Sequence, residues 1–458
     1  MNIYLEVEVY NREFKSRMLL GCYAALKGFD IYLMHRSEIH YLGINNMISP
    51  GIIFMKDANS TNEISNNIYE LKKKGFVITS QDEESGIAFD DYNDFIKRRF
   101  PNENTFEYLE YFFCWGKRDQ IELEKKFKNK TQYINSGSPR IDLLSNKFYD
   151  INDKKKIHEK YNIKDFILLP TNISFPIGLR RIADAYEGFT SEKKNLQWRE
   201  EYFFTKNIQQ LTLLKYFVDL IRLLVRGQKK YDIMLRPHPN EKIEDWEKFI
   251  GIRQKNFKII KDGYLSDFIF ASEAVIHNGC TSSIEAKLMN KRVISFEPVK
   301  FIKNYDKIFT NSLGKTCINK ESVLEEVINL DSGQKISNPI NQKILDELNF
   351  RINYSTSAIG CQNIVEFFEK IRKKNNFEVN FFKIKKINIL KKIKNILKVA
   401  IYNIFNLSID RSVFEQKFPP IKNSIILSYL ESFSKFDKEL SKVDFQKISS
   451  RIIKIKKI

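Results

Sequence analysis

Three short stretches of the 458-residue chain carry side chains suited to chemistry, each directly after an apolar run. The first is IMLRPHPNE, Ile233 to Glu241, where a strand-like run enters Arg236-Pro237-His238-Pro239. Two prolines stiffen the turn, so it presents a guanidinium and an imidazole in fixed directions. Such a turn at the carboxyl end of a parallel strand lies where open α/β sheets bind ligands. An imidazole there can donate to a phosphate oxygen and stabilise charge on a leaving nucleotide. A histidine that merely caps a strand end is the plainer reading, and the Arg-Pro-His-Pro context tips the choice towards chemistry. The second stretch, Ala274 to Pro298, ends an apolar run at His277, turns through Asn278-Gly279-Cys280 and opens a helix with Thr281, Ser282 and Ser283. Hydroxyls and unpaired N–H groups at a helix start attract phosphate, although Thr281 or Ser282 alone could be only an N-cap. Glu285, one turn in, could reach a ribose hydroxyl. The third is GFVITSQDEESG, Gly75 to Gly86, with Asp82, Glu83 and Glu84 after a strand. Adjacent carboxylates in a cleft raise one another's pKa, as suits a general base; a solvated acidic loop is the alternative. Asp90, Asp91 and Asp94 read better as a surface turn than as a metal motif.

Elements that position these groups are legible in the apolar periodicity. Strands are predicted at Ile3–Val9, Asp30–Met34, Gly51–Met55, Phe76–Thr79, Tyr111–Trp115 and Gln132–Ser136, with helices such as Phe14–Leu26 between them. A second series runs through Phe166–Pro170, Tyr231–Arg236, Phe257–Ile260, Ala274–His277 and Arg292–Phe296, with a helix over Asn207–Arg226. Strands alternating with helices imply parallel sheets, hence an α/β fold with two Rossmann-like domains. The expected division is 1–155, 156–345, closing helices over 346–372 and a basic extension over 373–458. Arg12 and Glu13 after the first strand, and Arg140 in Gly137-Ser138-Pro139-Arg140, are candidates for the acceptor side of a cleft; Arg140 could instead pair with Asp142.

Composition narrows the class. With 43% hydrophobic and 29% charged residues the chain is globular, and no apolar run reaches the roughly 20 residues of a bilayer span. The acidic start MNIYLEVEVYN is unlike a signal peptide, so a cytoplasmic location is expected. Five scattered cysteines imply neither a disulfide framework nor a zinc site. The net charge of +19 is carried largely by lysines beyond Arg372. There Ile389, Ile393, Ile396, Leu397, Ala400, Ile401, Ile404 and Phe405 recur at helical spacing opposite Lys391, Lys392, Lys394 and Lys398. A helix of that kind lies on an anionic membrane, on the inner face of the cytoplasmic membrane in this case, or packs on its own protein or another subunit. No recognised nucleic-acid module accompanies the charge, so nucleic acid is not an expected partner.

The order of acidic loop, CWG at Cys114-Trp115-Gly116, SGSPRIDLL, RPHPNE with Trp246 beyond it, and HNGCTSSIEA resembles the bacterial surface carbohydrate biosynthesis proteins. That family has the two-domain GT-B glycosyltransferase architecture with a cleft between its domains. The motifs are also similar to those of transferases that use CMP-activated Kdo or sialic acid. Over roughly Asn2 to Lys370, the resemblance implies that His238 contacts the donor phosphate and helps CMP leave, with Arg236 neutralising charge and Pro239 beside it. Thr281, Ser282 and Ser283 would hold the same phosphate, Glu285 the ribose, and Asn172, His277, Asn278 and Gly279 would line the donor site. One of Asp82, Glu83 and Glu84 would be the catalytic carboxylate; Ser85 between Glu84 and Gly86 departs from the family pattern and leaves the choice open. The implied activity is transfer of a Kdo-like or sialic-acid-like group from its CMP donor to a glycan or glycolipid of a capsule or lipopolysaccharide. Inverting and retaining outcomes both stay open, and neither a cofactor nor a metal is implied. The alternatives are a teichoic-acid-type CDP-alditol phosphotransferase, a nucleotide-sugar 2-epimerase, or a non-enzymatic scaffold recruited to the membrane.

Overall fold

The computed structural model describes residues 1–58, 62–100, 104–173, 179–191, 195–238, 241–300, 308–331, 341–374 and 418–458. The chain divides into two compact units. The first comprises Met1–Ser85, Asn102–Leu143 and Arg351–Ile458, and the second Gly86–Pro101 and Leu144–Phe350. Both are α/β, each built on its own sheet, as the alternation of strands and helices in the sequence leads one to expect.

The first unit contains β1 (Asn2–Val7), β2 (Asp30–His35), β3 (Ile52–Met55), β4 (Val77–Ser80), β5 (Tyr111–Cys114), β6 (Gln132–Asn135), and, from the end of the chain, β13 (Val443–Lys447) and β14 (Ile453–Lys457). Their order in the sheet is β13-β14-β2-β1-β3-β4-β5-β6. All pairs from β2 to β6 are parallel. Ile3, Leu5, Ile52, Ile53, Phe54 and Met55 are wholly buried, as a parallel sheet covered on both faces requires. After β2 the chain crosses to the far side of β1, so the sheet switches direction between β1 and β3. Open α/β sheets bind ligands at the carboxyl ends of the strands beside such a switch.

The second unit contains β7 (Phe166–Pro170), β8 (Asp232–Arg236), β9 (Phe257–Ile259), β10 (Ala274–His277), β11 (Arg292–Phe296) and β12 (Lys315–Cys317), ordered β12-β11-β10-β7-β8-β9 and parallel throughout. Counted from β7, this is the 3-2-1-4-5-6 order of the dinucleotide-binding fold, with its switch between β7 and β10. Leu213, Phe217, Leu220, Ile221 and Leu224 of the long helix Leu196–Gly227 pack on the sheet beside Ile233, Leu235, Ile276 and Phe296.

The closing helices expected over 346–372 divide between the units: the helix Ile359–Lys374 lies in the first, where Gly116 and Gly137 receive the returning chain. A Cβ on Gly116 would lie 2.2 Å from the carbonyl of Arg351, and Gly137, at φ +82°, would bring one to 2.6 Å from the carbonyl oxygen of Asn353. Residues 418–458 are likewise no tail: the helix Asn423–Phe436 and the hairpin β13–β14 complete the first sheet, β14 pairing antiparallel with β2 through Ile453 opposite Leu33 and Ile455 opposite Ile31. Ile453 and Ile455 are buried, while Lys454 between them turns to Asp30 at 2.6 Å. The amphipathic stretch 389–405 lies outside the described residues. Among those described, no helix is long and apolar enough to cross a membrane.

Candidate functional site

In the second unit the singled-out residues stand at the exits of β7, β8 and β10, around the switch point. Two strand spacings separate the exits of β8 and β10, about 10 Å, a distance a nucleotide phosphate and its sugar can span. His238 is half-buried, and its backbone N–H donates to Thr171 Oγ1 at 3.3 Å. Thr171 Oγ1 lies 2.5 Å from Glu241 Oε2, which also accepts from the indole N–H of Trp246 at 2.8 Å. The other oxygen of Glu241 accepts from the backbone N–H of Ile173 at 2.7 Å. Asn172, half-buried between them, offers its carbonyl to Gln210. Pro239 lies outside the described residues.

Arg236 has a different task from the phosphate contact expected of it. Its guanidinium donates to the carbonyls of Asp262, at 2.7 Å, and of Gly263, and lies over the ring of Phe268 at 4.5 Å. Burial lowers its pKa to about 10, so it stays charged at neutral pH while holding the loop after β9. His277 is corrected too: it is fully buried, with Nε2 3.0 Å from Ser295 Oγ. That hydroxyl donates its own proton to the carbonyl of Asn311 at 2.7 Å, so His277 donates to it from Nε2. Asn278 donates to the carbonyl of Phe296, and the N–H of Gly279 (φ +60°) to Asn311 Oδ1 at 2.8 Å. These bonds shape the turn before the hydroxyl trio. Ser283 Oγ donates to the carbonyl of Cys280 at 2.9 Å, Ser282 Oγ lies 2.5 Å from Cys280 Sγ, and both serines are buried. Thr281 is half-buried, and its side chain makes no capping bond to the helix Ser282–Leu288. Glu285 is buried one turn further on.

In the first unit the acidic loop follows β4, and its carboxylates have separate surroundings. Asp82 Oδ1 accepts from the N–H groups of Glu84, at 2.8 Å, and Ser85, at 3.0 Å, and so builds the turn. Glu84 is exposed enough to pair at the surface with Arg12, at 3.1 Å. Glu83 is only 3% exposed and lies 2.7 Å from Nη2 of Arg17, itself wholly buried. Its second oxygen, Oε2, is buried and takes no hydrogen bond from the described residues. Burial pushes the Glu83 carboxyl up and Glu13 adds to this, against the pull of Arg17. Glu13 is wholly buried and accepts from the N–H of Glu8 at 2.6 Å and of Val9 at 3.2 Å, tying the first helix to the end of β1. Arg140 donates to the carbonyl of Glu83 at 3.2 Å, the indole of Trp115 to that of Asp82 at 2.8 Å, and Ser85 Oγ to Asp119 at 2.5 Å. The CWG and SGSPR loops therefore hold the acidic loop in place.

Sequence reasoning overlooked a second buried charge cluster at the switch point of this sheet. Glu6 takes Arg36 Nε at 3.0 Å and His40 Nε2 at 3.1 Å; Arg36 also reaches Asp57 at 2.7 Å, and Lys56 bridges Asp57 and Glu8 at 3.0 and 2.8 Å. Burial alone would raise the Glu6 carboxyl, but Arg36 and His40 hold it down at about 2. A charge inside the strand NIYLEV was the available signal, since a residue that must be buried there needs a partner. Arg17 had no comparable signal, being one of several cations on its helix. Among the described residues, no group of His, Cys, Asp or Glu is arranged to hold a metal ion.

No protein-family model matches the sequence, and no curated protein matches it significantly. Solved structures similar to the chain include a UDP-GlcNAc 2-epimerase from Neisseria meningitidis bound to UDP-GlcNAc, at 12% identity and TM-score 0.48, covering 81% of this chain and 100% of that one. A UDP-GlcNAc 2-epimerase from Methanocaldococcus jannaschii in complex with UDP-GlcNAc and UDP is 13% identical, at TM-score 0.47, over 81% of this chain and 100% of that one. The wall teichoic acid polymerase TagF is 12% identical, at TM-score 0.49, over 82% of this chain and 89% of that one.

Proposed function

We propose that the chain is a transferase of surface-glycan assembly that releases CMP from an activated donor. The second unit holds the departing cytidylate, and Glu83 is the candidate base. The observation that carries this reading is the pair of turns at the switch point of the second sheet, His238 after β8 and Thr281–Ser283 after β10, on a fold whose strand order is that of nucleotide binders. Arg236 and His277 are committed to the fold, and His238 is the donor-side residue proposed to neutralise charge. A CMP-linked donor loses its group as the phosphate gains one negative charge, which one imidazolium proton balances. In transfer to a hydroxyl acceptor, the acceptor oxygen forms a bond to the donor carbon or phosphorus. The bond from that atom to the cytidylate oxygen breaks, and Glu83 accepts the hydroxyl proton. A carboxyl raised above its ordinary range suits that task.

A Kdo-like or sialic-acid-like group is the transferred group we favour, on the resemblance carried by the acidic loop, the His-Pro turn and the hydroxyl trio, with a CDP-alditol donor as the alternative. The experiment is product analysis with CMP-Kdo, CMP-sialic acid, CDP-glycerol and UDP-GlcNAc, each with a lipid-linked glycan acceptor. CMP release from a CMP-sugar supports the reading in full, and CMP release from CDP-glycerol moves it to the alditol class. Conversion of UDP-GlcNAc to its 2-epimer replaces it, and turnover of none of the four leaves a scaffold.

A further inference from the structure

The two charged residues of the stretch from Arg236 to Glu241 each fasten the Pro-His-Pro turn to a neighbouring strand exit. Arg236 fastens the turn to the exit of β9 through the carbonyls of Asp262 and Gly263. Glu241 fastens it to the exit of β7 through Thr171 and Ile173. We infer that Glu241 and Thr171 are positioning residues for His238, forming a relay that fixes the imidazole against the donor phosphate; this rests on the donor-site reading above.

The geometry states the relay bond by bond. A hydroxyl has one proton to donate. Thr171 Oγ1 lies 2.5 Å from Glu241 Oε2 and 3.4 Å from the carbonyl oxygen of Arg236, so the proton goes to Glu241. The lone pairs of Thr171 then face the N–H of His238 at 3.3 Å. On the other side of the same residue, the N–H of Glu241 donates to the carbonyl of His238 at 2.8 Å. Residue 238 is thereby gripped at both backbone ends by one carboxylate residue and its hydroxyl partner. Trp246, 3% exposed within the core of the unit, and Lys261, which donates to the Glu241 carbonyl at 2.6 Å, anchor that residue in turn. Among the described residues the donors to the carboxylate are Thr171, Ile173 and Trp246, so Glu241 is placed to act through His238.

Glu241→Ala would bury the donors of Thr171, Ile173 and Trp246 without an acceptor, and is expected to fail in folding. Thr171→Val is the working variant, since it keeps volume and removes only the relay hydroxyl; Thr171→Ser is its conservative rescue. The readout is CMP affinity by calorimetry on the full chain, with a thermal melt for each variant. His238→Ala and Thr171→Val are each expected to weaken CMP binding by about tenfold, the worth of a hydrogen bond to a charged group. Thr171→Ser is expected to bind as wild type does, and adding Thr171→Val to His238→Ala to cost nothing further. Full additivity of the two substitutions, or unchanged binding in a folded Thr171→Val protein, overturns the relay. Unchanged CMP binding in His238→Ala overturns the donor-site reading itself, whatever Thr171 does.

Discussion

At the carboxyl edge of the first sheet, Glu6, Arg17, Arg36, Lys56, Asp57 and Glu83 are ionisable, largely buried and paired with one another. At the same edge of the second sheet the turns are shaped by backbone amides, the hydroxyls of Thr171 and Ser295 and the amide of Asn311, and its two motif charges brace loops. Under the proposed function, the contrast follows from what each edge would do. A proton acceptor at neutral pH needs a carboxyl lifted by burial yet kept in place by an opposite charge, which is the Glu83–Arg17 arrangement. A phosphate that arrives and leaves is better met by neutral donors and one titratable imidazole than by a fixed guanidinium that would hold the product.

The largest way to break this comparison is at the far end of the chain. Phe418, Ile421, Ile426, Phe433, Leu440, Ile453 and Ile455 are buried in the first unit. Each contributes about 1.5 to 3 kcal/mol by burial, together a sum comparable with the roughly 5 to 15 kcal/mol of net stability of a whole domain. Deleting residues 418–458 is expected to abolish cooperative melting of the first unit; a truncated chain with the wild-type Tm would contradict the sheet pairing of β14 with β2. Next comes Glu83→Gln, expected to lower kcat by about a thousandfold, in the range of a lost general base, with CMP affinity unchanged. An equal loss in Glu84→Gln would erase the distinction between the two carboxylates.

Arg236→Lys sharpens the other half. A brace is expected to cost about 1 to 3 kcal/mol of stability, read as a lowered Tm, with CMP binding largely kept. Weakened CMP binding at an unchanged Tm would restore Arg236 to the phosphate. The remaining effect depends on pH and is at Asp142, whose carboxylate accepts from the N–H of Gly360 at 3.1 Å and of Cys361 at 2.7 Å. Burial pushes this carboxyl up to about 6, against those two hydrogen bonds. The fold thus holds the proton more tightly than the unfolded chain does, so this stabilisation is complete below about pH 4 and lost as pH rises through about 6. It amounts to about 3 kcal/mol. The stability of wild type relative to Asp142→Asn is expected to fall over that window, and a difference independent of pH would contradict it.

The strands of both sheets from β1 to β11 were legible, because apolar runs bounded by turn residues leave little choice in a parallel α/β chain. The hairpin β13–β14 was not. Ile453 and Ile455 alternate as a strand should, but the lysines between them spell a solvated tail until β2 offers an edge. In the candidate site, residue types singled out loops without ranking the residues in them. Asp82, Glu83 and Glu84 are neighbours in sequence, and only Arg17, far away in sequence and close in space, makes Glu83 the buried one. His277 and Arg236 were over-read for the same reason, since a strand-end charge or imidazole spells alike whether it faces a ligand or the core.

A crystal structure with CMP tests the central claim most directly. The account predicts the cytidylate phosphate within about 3 Å of both the His238 imidazole and the Thr281 hydroxyl, as hydrogen-bond geometry demands. A nucleotide bound away from the exits of β8 and β10, or touching Arg236 in place of His238, would contradict it.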